Sequence, residues 1–310
     1  MKAALVTSFD QPPTYAEVPD PVAHQPGELV VDVVAAGLHP RVRSQANGSH
    51  YSSTGELPLV PGIDGVVRDP EGRLRYALLG DTSLGTMAQR TVIETNRSVL
   101  LPDDVDPVLL AAAMNPAMSS WVGLRRRIDF QPGSEVLILG ANGSAGRVAI
   151  QICKQLGASR VIAAGRNAER LAGLEALGAD LTTTLDDLAP AADVDVVIDY
   201  VWGRPAVEAM TALCAARADR SKPLTWLEIG AVADPVAAIP SAALRSTRLQ
   251  IVGSGIGSVP GREFVAELPQ LAEFLMSGVL DIAVEAVPLR AVESTWGADP
   301  DSSKRIVFTP

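Results

Sequence analysis

The sequence predicts an α/β fold: an open, doubly wound parallel sheet with β-rich chain on both sides of it. Three observations predict this. Between Glu135 and Val252, strand-length apolar runs alternate with stretches of helical period. The first of those runs ends in a glycine-rich loop that opens a helix. Residues 1–115 and 256–310 lack the alternation, and the first of them is rich in short strand-like runs.

The glycine loop belongs to Glu135–Gly146, which reads Glu-Val-Leu-Ile-Leu-Gly-Ala-Asn-Gly-Ser-Ala-Gly. Val136–Leu139 has the length and composition of a buried parallel strand. From Arg147 onward, Val148, Ala149, Ile150, Ile152, Cys153 and Leu156 fall at helical spacing, and Gly157 closes the helix. Between strand and helix, Ala141, Gly143 and Gly146 form an Ala-x-Gly-x-x-Gly variant of the dinucleotide fingerprint. Without a Cβ, Gly143 lets the backbone approach a pyrophosphate, and Gly146 lets the helix pack close to the strand. The first-turn N–H groups, at Ser144 and Ala145, then face the phosphates. Glycines also make ordinary tight turns. Here the strand before, the helix after and a second strand at Arg160–Ala164 supply the context that nucleotide binding requires.

A chain of 310 residues makes one large or two medium domains. With 47% hydrophobic and 20% charged residues, it has the composition of a soluble globular protein with a real core. A formal net charge of -10 argues against nucleic acid or anionic membranes as the main partner. Arg125-Arg126-Arg127 is the one dense basic spot, and reads as a solvated helix end. Cys153 and Cys214 sit among apolar residues in helical patterns and read as buried thiols. With no Cys-x-x-Cys, neither a thiolate zinc cluster nor a disulfide framework is expected. No signal-like or membrane-length apolar run occurs, so the expected location is the cytoplasm.

In chain order, Lys2–Thr7 and Glu28–Ala36 read as strands. Asp10–Pro21, with four prolines, must be loop or edge. Gly37–Ser53 is read as irregular and polar; it holds His39, His50 and Tyr51. Arg73–Leu79 and Met87–Val92 are two more strands. Residues 105–127 turn helical, with a break expected at Pro116. The parallel strands are expected at Val136–Leu139, Arg160–Ala164, Val194–Asp199, Leu224–Ile229 and Leu249–Val252. The helices between them are expected near Ala145–Leu156, Ala168–Leu177, Pro205–Ala216 and Ser241–Arg245. A helix at Glu263–Met276 and strands at Ile282–Val287 and Arg305–Phe308 follow. Neither β-rich flank has enough strands to close a core alone, so the two are expected to pack together.

At this point the chain resembles the medium-chain dehydrogenase/reductase superfamily, in particular its zinc-free quinone oxidoreductase (zeta-crystallin-like) branch. The resemblance covers nearly the whole chain. It rests on Ala36-Gly37-Leu38-His39-Pro40, Val60-Pro61-Gly62-Ile63-Asp64-Gly65, Pro132-Gly133-Ser134-Glu135-Val136-Leu137, Gly140–Gly146 with Gln151, Leu177-Gly178-Ala179-Asp180 and Val196-Val197-Ile198-Asp199. It implies a GroES-like catalytic domain from residues 1–117 and 256–310, a Rossmann domain at 118–255, and a cofactor cleft between them. Some positions depart from the family pattern. Leu38-His39-Pro40 replaces a Val-Asn-Pro, Ser44 and Ala46 stand where several members carry a Tyr and an Arg, and Thr184 or Leu185 replaces a Tyr.

Zinc relatives use a Cys, a His-Glu pair and a further Cys or Asp. The matching positions offer only His39 and Asp64 as ligands, so no metal is expected. NAD-specific Rossmann domains place an acid at the end of the second strand. Here that strand ends Ala164-Gly165-Arg166-Asn167, and a guanidinium suits a 2′-phosphate. NADP(H) is therefore the expected cofactor, with Arg166, Asn167 and Arg170 at the phosphate. Ser119 matches a family position near the nicotinamide. Val201, Gly230, Gly253 and Gly255 follow later strands, at the ends where open sheets bind ligands. The expected reaction is hydride transfer to a quinone or α,β-unsaturated carbonyl, with His39 or Tyr51 stabilising the developing charge. A non-enzymatic NADPH-responsive binding or regulatory protein of the same fold is the alternative. A homodimer is expected through Leu249–Val252, read as an exposed sheet edge.

Overall fold

The computed structural model describes residues 1–80, 82–297 and 304–310. The first elements are β1 (Lys2–Leu5), β2 (Thr14–Glu17), β3 (Glu28–Leu38), α1 (Pro40–Ala46), β4 (Asp64–Arg68), β5 (Leu74–Leu78), β6 (Arg90–Glu94), β7 (Ser98–Leu100) and α2 (Pro107–Val122). The strand–helix alternation follows as β8 (Glu135–Leu139), α3 (Ser144–Gln155), β9 (Arg160–Gly165), α4 (Ala168–Leu171), β10 (Leu181–Thr184), β11 (Val196–Asp199), α5 (Gly203–Ala216), β12 (Leu224–Glu228), α6 (Ser241–Ser246) and β13 (Leu249–Gly253). The chain ends with α7 (Gly261–Met276), β14 (Ala283–Pro288), α8 (Val292–Trp296) and β15 (Lys304–Thr309).

Two compact units result: Met1–Asn115 with Gly261–Pro310, and Pro116–Pro260. The sequence places the same divisions at 117/118 and 255/256. In the two-segment unit, seven strands run β14-β15-β3-β4-β5-β7, with β6 on β3, and β1 pairs β2 separately. The chain ends meet there: β15 runs antiparallel to β3, with Val307 opposite Gly37. Val31, Val33, Val67, Ala77, Met87, Ile93 and Phe308 fill this core.

The Pro116–Pro260 unit is a six-stranded sheet in the order β10-β9-β8-β11-β12-β13. Every pairing in it is parallel. One face buries Leu137, Leu139, Ile162, Val197 and Trp226 against Met210 and Leu213 of α5. A sheet buried on both faces explains why its strands read as continuous apolar runs.

The structure corrects several element assignments. Gly37–Ser53 is not all irregular: Pro40 starts α1, preset for a first helical position, and Val42, Gln45 and Ala46 bury one face. The helix expected at Ala168–Leu177 stops at Leu171, and Gly173, at φ 86, separates it from a 3-10 turn at Glu175–Leu177. The sequence reading misses β10, a half-exposed edge strand of three threonines and one leucine. The strand expected at Met87–Val92 lies at Arg90–Glu94.

Pro116 does not break its helix. It lies inside α2, and a π turn at Gly123–Arg127 follows. A proline has no N–H for the carbonyl four residues earlier, here Ala112. Arg305 Nε on β15 lies 3.4 Å from that oxygen instead. Burial lowers the Arg305 pKa to about 10, so the group stays a cation at neutral pH.

Candidate cofactor and catalytic sites

In the parallel sheet, β9 and β11 flank β8 on opposite sides, so chain progression reverses at β8. Open sheets bind ligands at the carboxyl ends of such strands. The Gly140–Gly146 loop lies there. A Cβ on Gly146 would stand 2.4 Å from the Gly140 oxygen and 2.6 Å from Ala141 Cα, so only glycine fits. Gly143 is the extended N-cap of α3, and no side chain caps the helix start. First-turn N–H groups such as those of Ala145 and Gly146 have no intrahelical acceptor. The loop thus has the donors and the close backbone approach that a pyrophosphate needs.

At the end of β9, a Cβ on Gly165 would lie 3.1 Å from Leu171 Cδ2 and 3.3 Å from Asn142 Cγ. A side chain at this position would require Leu171 and Asn142 to give by a few tenths of an ångström. Arg166 is exposed, and no ion pair engages it among the described residues. Asn167 is committed locally: its side chain accepts from the N–H groups of Glu169 at 2.9 Å and Arg170 at 3.2 Å, capping α4.

On the other side of β8, Asp199 ends β11 and organises the next loop. It accepts from the N–H groups of Val201 at 2.8 Å and Trp202 at 3.0 Å, and from Trp226 Nε1 at 2.9 Å. These bonds hold Trp202 at φ 50, the one positive φ outside glycine among the described residues. Burial raises the Asp199 carboxyl despite those donors. Its cross-strand neighbour Glu228 is also raised, chiefly by burial and then by Asp199. Val232 N donates to the Tyr200 carbonyl at 3.3 Å and Ala233 N to that of Val201 at 2.8 Å, joining this loop to the one after β12. Val201 and Gly230 thus stand at one end of adjacent strands. Gly253 ends the edge strand β13 and gives its carbonyl to Arg127 Nε at 2.9 Å, and Gly255 lies in the turn beyond.

Ser119 on α2 reaches this end of the sheet too, with its Oγ 3.1 Å from the Tyr200 hydroxyl. The sequence reading misses Tyr200, because nothing local marks a tyrosine after an apolar strand as a site residue. Asp199 is visible only as a carboxylate closing an apolar strand.

The catalytic candidates belong to the other unit. His39 is 2% exposed, with Nε2 3.0 Å from Asp64 Oδ1, and the buried Tyr76 hydroxyl donates to Asp64 Oδ2. Burial lowers the His39 pKa, with Asp64 opposing, so the ring is neutral. A carboxylate only accepts, so His39 gives it the Nε2 hydrogen and Nδ1 becomes an acceptor. Nδ1 is buried, with no hydrogen-bond partner among the described residues. The Nε2 hydrogen of His39, one of the two residues expected to stabilise developing charge, is thus engaged by Asp64. Tyr51 is 73% exposed, its ring 4.2 Å from that of His50. Ser44 Oγ donates to the Arg41 carbonyl, and Ala46 is buried. Among the described residues, no three His, Cys, Asp or Glu side chains come together as a metal site would need.

No family model matches the chain. It is 29% identical, over a 361-residue alignment covering all of both chains, to the probable NADPH-dependent quinone reductase tdiC of Emericella nidulans. The chloroplastic NADPH-dependent alkenal/one oxidoreductase of Arabidopsis thaliana is 29% identical over 193 residues, 56% of this chain and 50% of that one. The quinone oxidoreductase of Thermus thermophilus, solved alone and with NADPH, superposes at a TM-score of 0.83 with 26% identity and full coverage of both chains. The chain is thus similar, in sequence and in fold, to quinone oxidoreductases of the medium-chain dehydrogenase/reductase superfamily. In this superfamily's terms, the parallel-sheet unit is its Rossmann domain, and the unit built from both chain ends is its GroES-like domain.

Proposed function

We propose that the protein is an NADPH-dependent oxidoreductase that reduces a quinone or an α,β-unsaturated carbonyl without zinc. The carrying observation is the dinucleotide site itself: a glycine loop closed to any Cβ at Gly146, an uncapped helix start, and a second strand ending in crowded Gly165 and exposed Arg166. Two relatives named for NADPH-dependent quinone and alkenal/one chemistry support the same reading.

Bound there, the reduced nicotinamide supplies a hydride. The chain's residues hold and orient. Ala145 and Gly146 N–H groups receive the pyrophosphate, and Arg166 with Arg170 receives the 2′-phosphate. Ser119, Val201 and Gly230 shape the opposite end. With His39 committed to Asp64, Tyr51 is the residue to test as donor to the substrate oxygen. Asp64, matched to a zinc-ligand position, is likewise taken up by His39 and Tyr76.

The substrate is a small molecule. No helix among the described residues is long and apolar enough to cross a membrane, and the proposed location is the cytoplasm. The proposed assembly is a homodimer: among the described residues β13 pairs only β12, which leaves that edge of the Rossmann sheet unpaired.

The test is NADPH oxidation followed by absorbance with a panel of quinones, enones and alkenals. Turnover with a member of the panel, reduced by Tyr51→Phe, is the expected result. Tight NADPH binding with no turnover across the panel, joined to a partner protein whose affinity changes with NADPH, makes the non-enzymatic regulatory reading the better one.

A further inference from the structure

Tyr200 follows β11 directly and lies against the first glycine of the phosphate loop. A Cβ on Gly140 would stand 3.5 Å from Tyr200 Cβ and 3.2 Å from Val201 Cγ2. Its backbone N–H donates to the Leu139 carbonyl at 3.3 Å, so residue 200 is fixed beside the end of β8. The side chain is 8% exposed, and its hydroxyl meets Ser119 Oγ at 3.1 Å. Ser119 itself is half-buried.

Counting hydrogens gives this pair a direction. A serine hydroxyl has one hydrogen and two lone pairs. Ser119 spends its hydrogen on the Pro116 carbonyl, 2.6 Å away. With that hydrogen spent, Tyr200 is the donor to Ser119, and the Ser120 hydroxyl also bonds the Tyr200 hydroxyl. Burial raises the Tyr200 phenol, so it keeps its proton at any working pH. Ser119 Oγ is left with one lone pair and no hydrogen, a pure acceptor.

The sheet order says which ligand group meets it. The adenosine half of a dinucleotide is read at the end of the second strand, here β9 on one side of β8. The nicotinamide half then lies on the β11 side, where Ser119 and Tyr200 are. Its carboxamide bears the only N–H donors of that ring. We propose that Tyr200 is a positioning residue for the nicotinamide end of the cofactor: it holds Ser119 Oγ as a dedicated acceptor for the carboxamide N–H. This rests on the NADPH reading above and adds to it a residue and a chemical group.

The experiment measures the affinity of the full-length protein for three probes. They are NADPH, its 3-acetylpyridine analogue, whose ketone has no N–H, and 2′-phospho-ADP-ribose, which lacks the ring. The unmodified protein should prefer NADPH over the analogue. Tyr200→Phe and Ser119→Ala should each weaken NADPH by roughly 2- to 10-fold, the worth of one neutral hydrogen bond. Each should bring NADPH and the analogue to near-equal affinity and leave 2′-phospho-ADP-ribose unchanged. The double variant should lose no more than either single one. Equal losses for all three probes would show a merely structural tie and overturn the positioning role, as would intact discrimination in both variants. If Tyr200→Phe does not fold, Ser119→Ala decides on the same criteria. A protein that binds 2′-phospho-ADP-ribose but gains nothing from the ring refutes this inference alone. One that binds neither NADPH nor the fragment refutes the cofactor reading with it.

Discussion

The phosphate loop of the Rossmann unit and the Asp64 cluster of the GroES-like unit both fix polar groups in place, by opposite means. The loop works by subtraction. Gly146 has no room for a Cβ, Gly143 offers no capping side chain, and backbone N–H groups are what remain. The cluster works by addition. His39, Asp64 and Tyr76 come from separate elements and satisfy one another inside a packed core. A site made by subtraction should tolerate nothing added, and one made by addition should tolerate nothing removed.

The largest effect should come from removal. Asp64→Ala leaves the Tyr76 hydroxyl and His39 Nε2–H without an acceptor, and should cost roughly 3–5 kcal/mol in urea denaturation. Asp64→Asn, which keeps an acceptor oxygen, should cost clearly less; equal losses would mean the carboxylate is not the organiser. Addition at the loop comes next. Gly146→Ala should destabilise by about 1–3 kcal/mol through overpacking and should abolish measurable NADPH binding. A Gly146→Ala protein that keeps both stability and binding would mean that the loop is not held as described.

A third change touches neither packing nor fold. Arg166→Ala should weaken NADPH by about 10-fold or more, as for a charged hydrogen bond, with NADH and stability nearly unchanged. Equal calorimetric losses for the two cofactors would remove the 2′-phosphate role. The smallest effect is a slope. His39 is neutral in the fold with a lowered pKa, whereas an unfolded histidine titrates near about 6.5. Below that pH the unfolded chain binds a proton that the folded one refuses, so stability should fall as pH falls from about 6.5 through the folded value. His39→Asn should flatten that part of the profile; an unchanged slope would show that His39 does not set it.

The same contrast explains what the sequence made legible. Strand, glycines and helix follow each other in reading order, so the Gly140–Gly146 loop is legible from local sequence. The β–α alternation was legible for the same reason: period and strand length are local properties. The cluster was not. Asp64 meets His39 25 positions away and Tyr76 12 positions away, and the pairing of β4 with β5 decides the latter. One-residue shifts in such registers turn side chains to the other face, and no local pattern records them. His39 stands out in the sequence as a residue, but the acceptor of its Nε2 hydrogen, Asp64, does not, because that depends on how separate strands are placed. Tyr200 was missed for a similar reason. Its hydroxyl matters through Ser119, 81 positions earlier.

The guanidinium of Arg305 over the Ala112 carbonyl bears on how the molecule is made. Pro116 leaves that carbonyl without its helical donor, and the group that approaches it sits 193 residues further along. During synthesis the helix is therefore laid down with an open acceptor that stays wet until residues 304–309 emerge. The GroES-like unit has the same schedule, because β3 gains β15 only then. The Rossmann unit, 116–260, is contiguous and needs nothing from either end of the chain to complete its sheet. The ribosome thus delivers a finished nucleotide-binding half while the other half waits for its last strand.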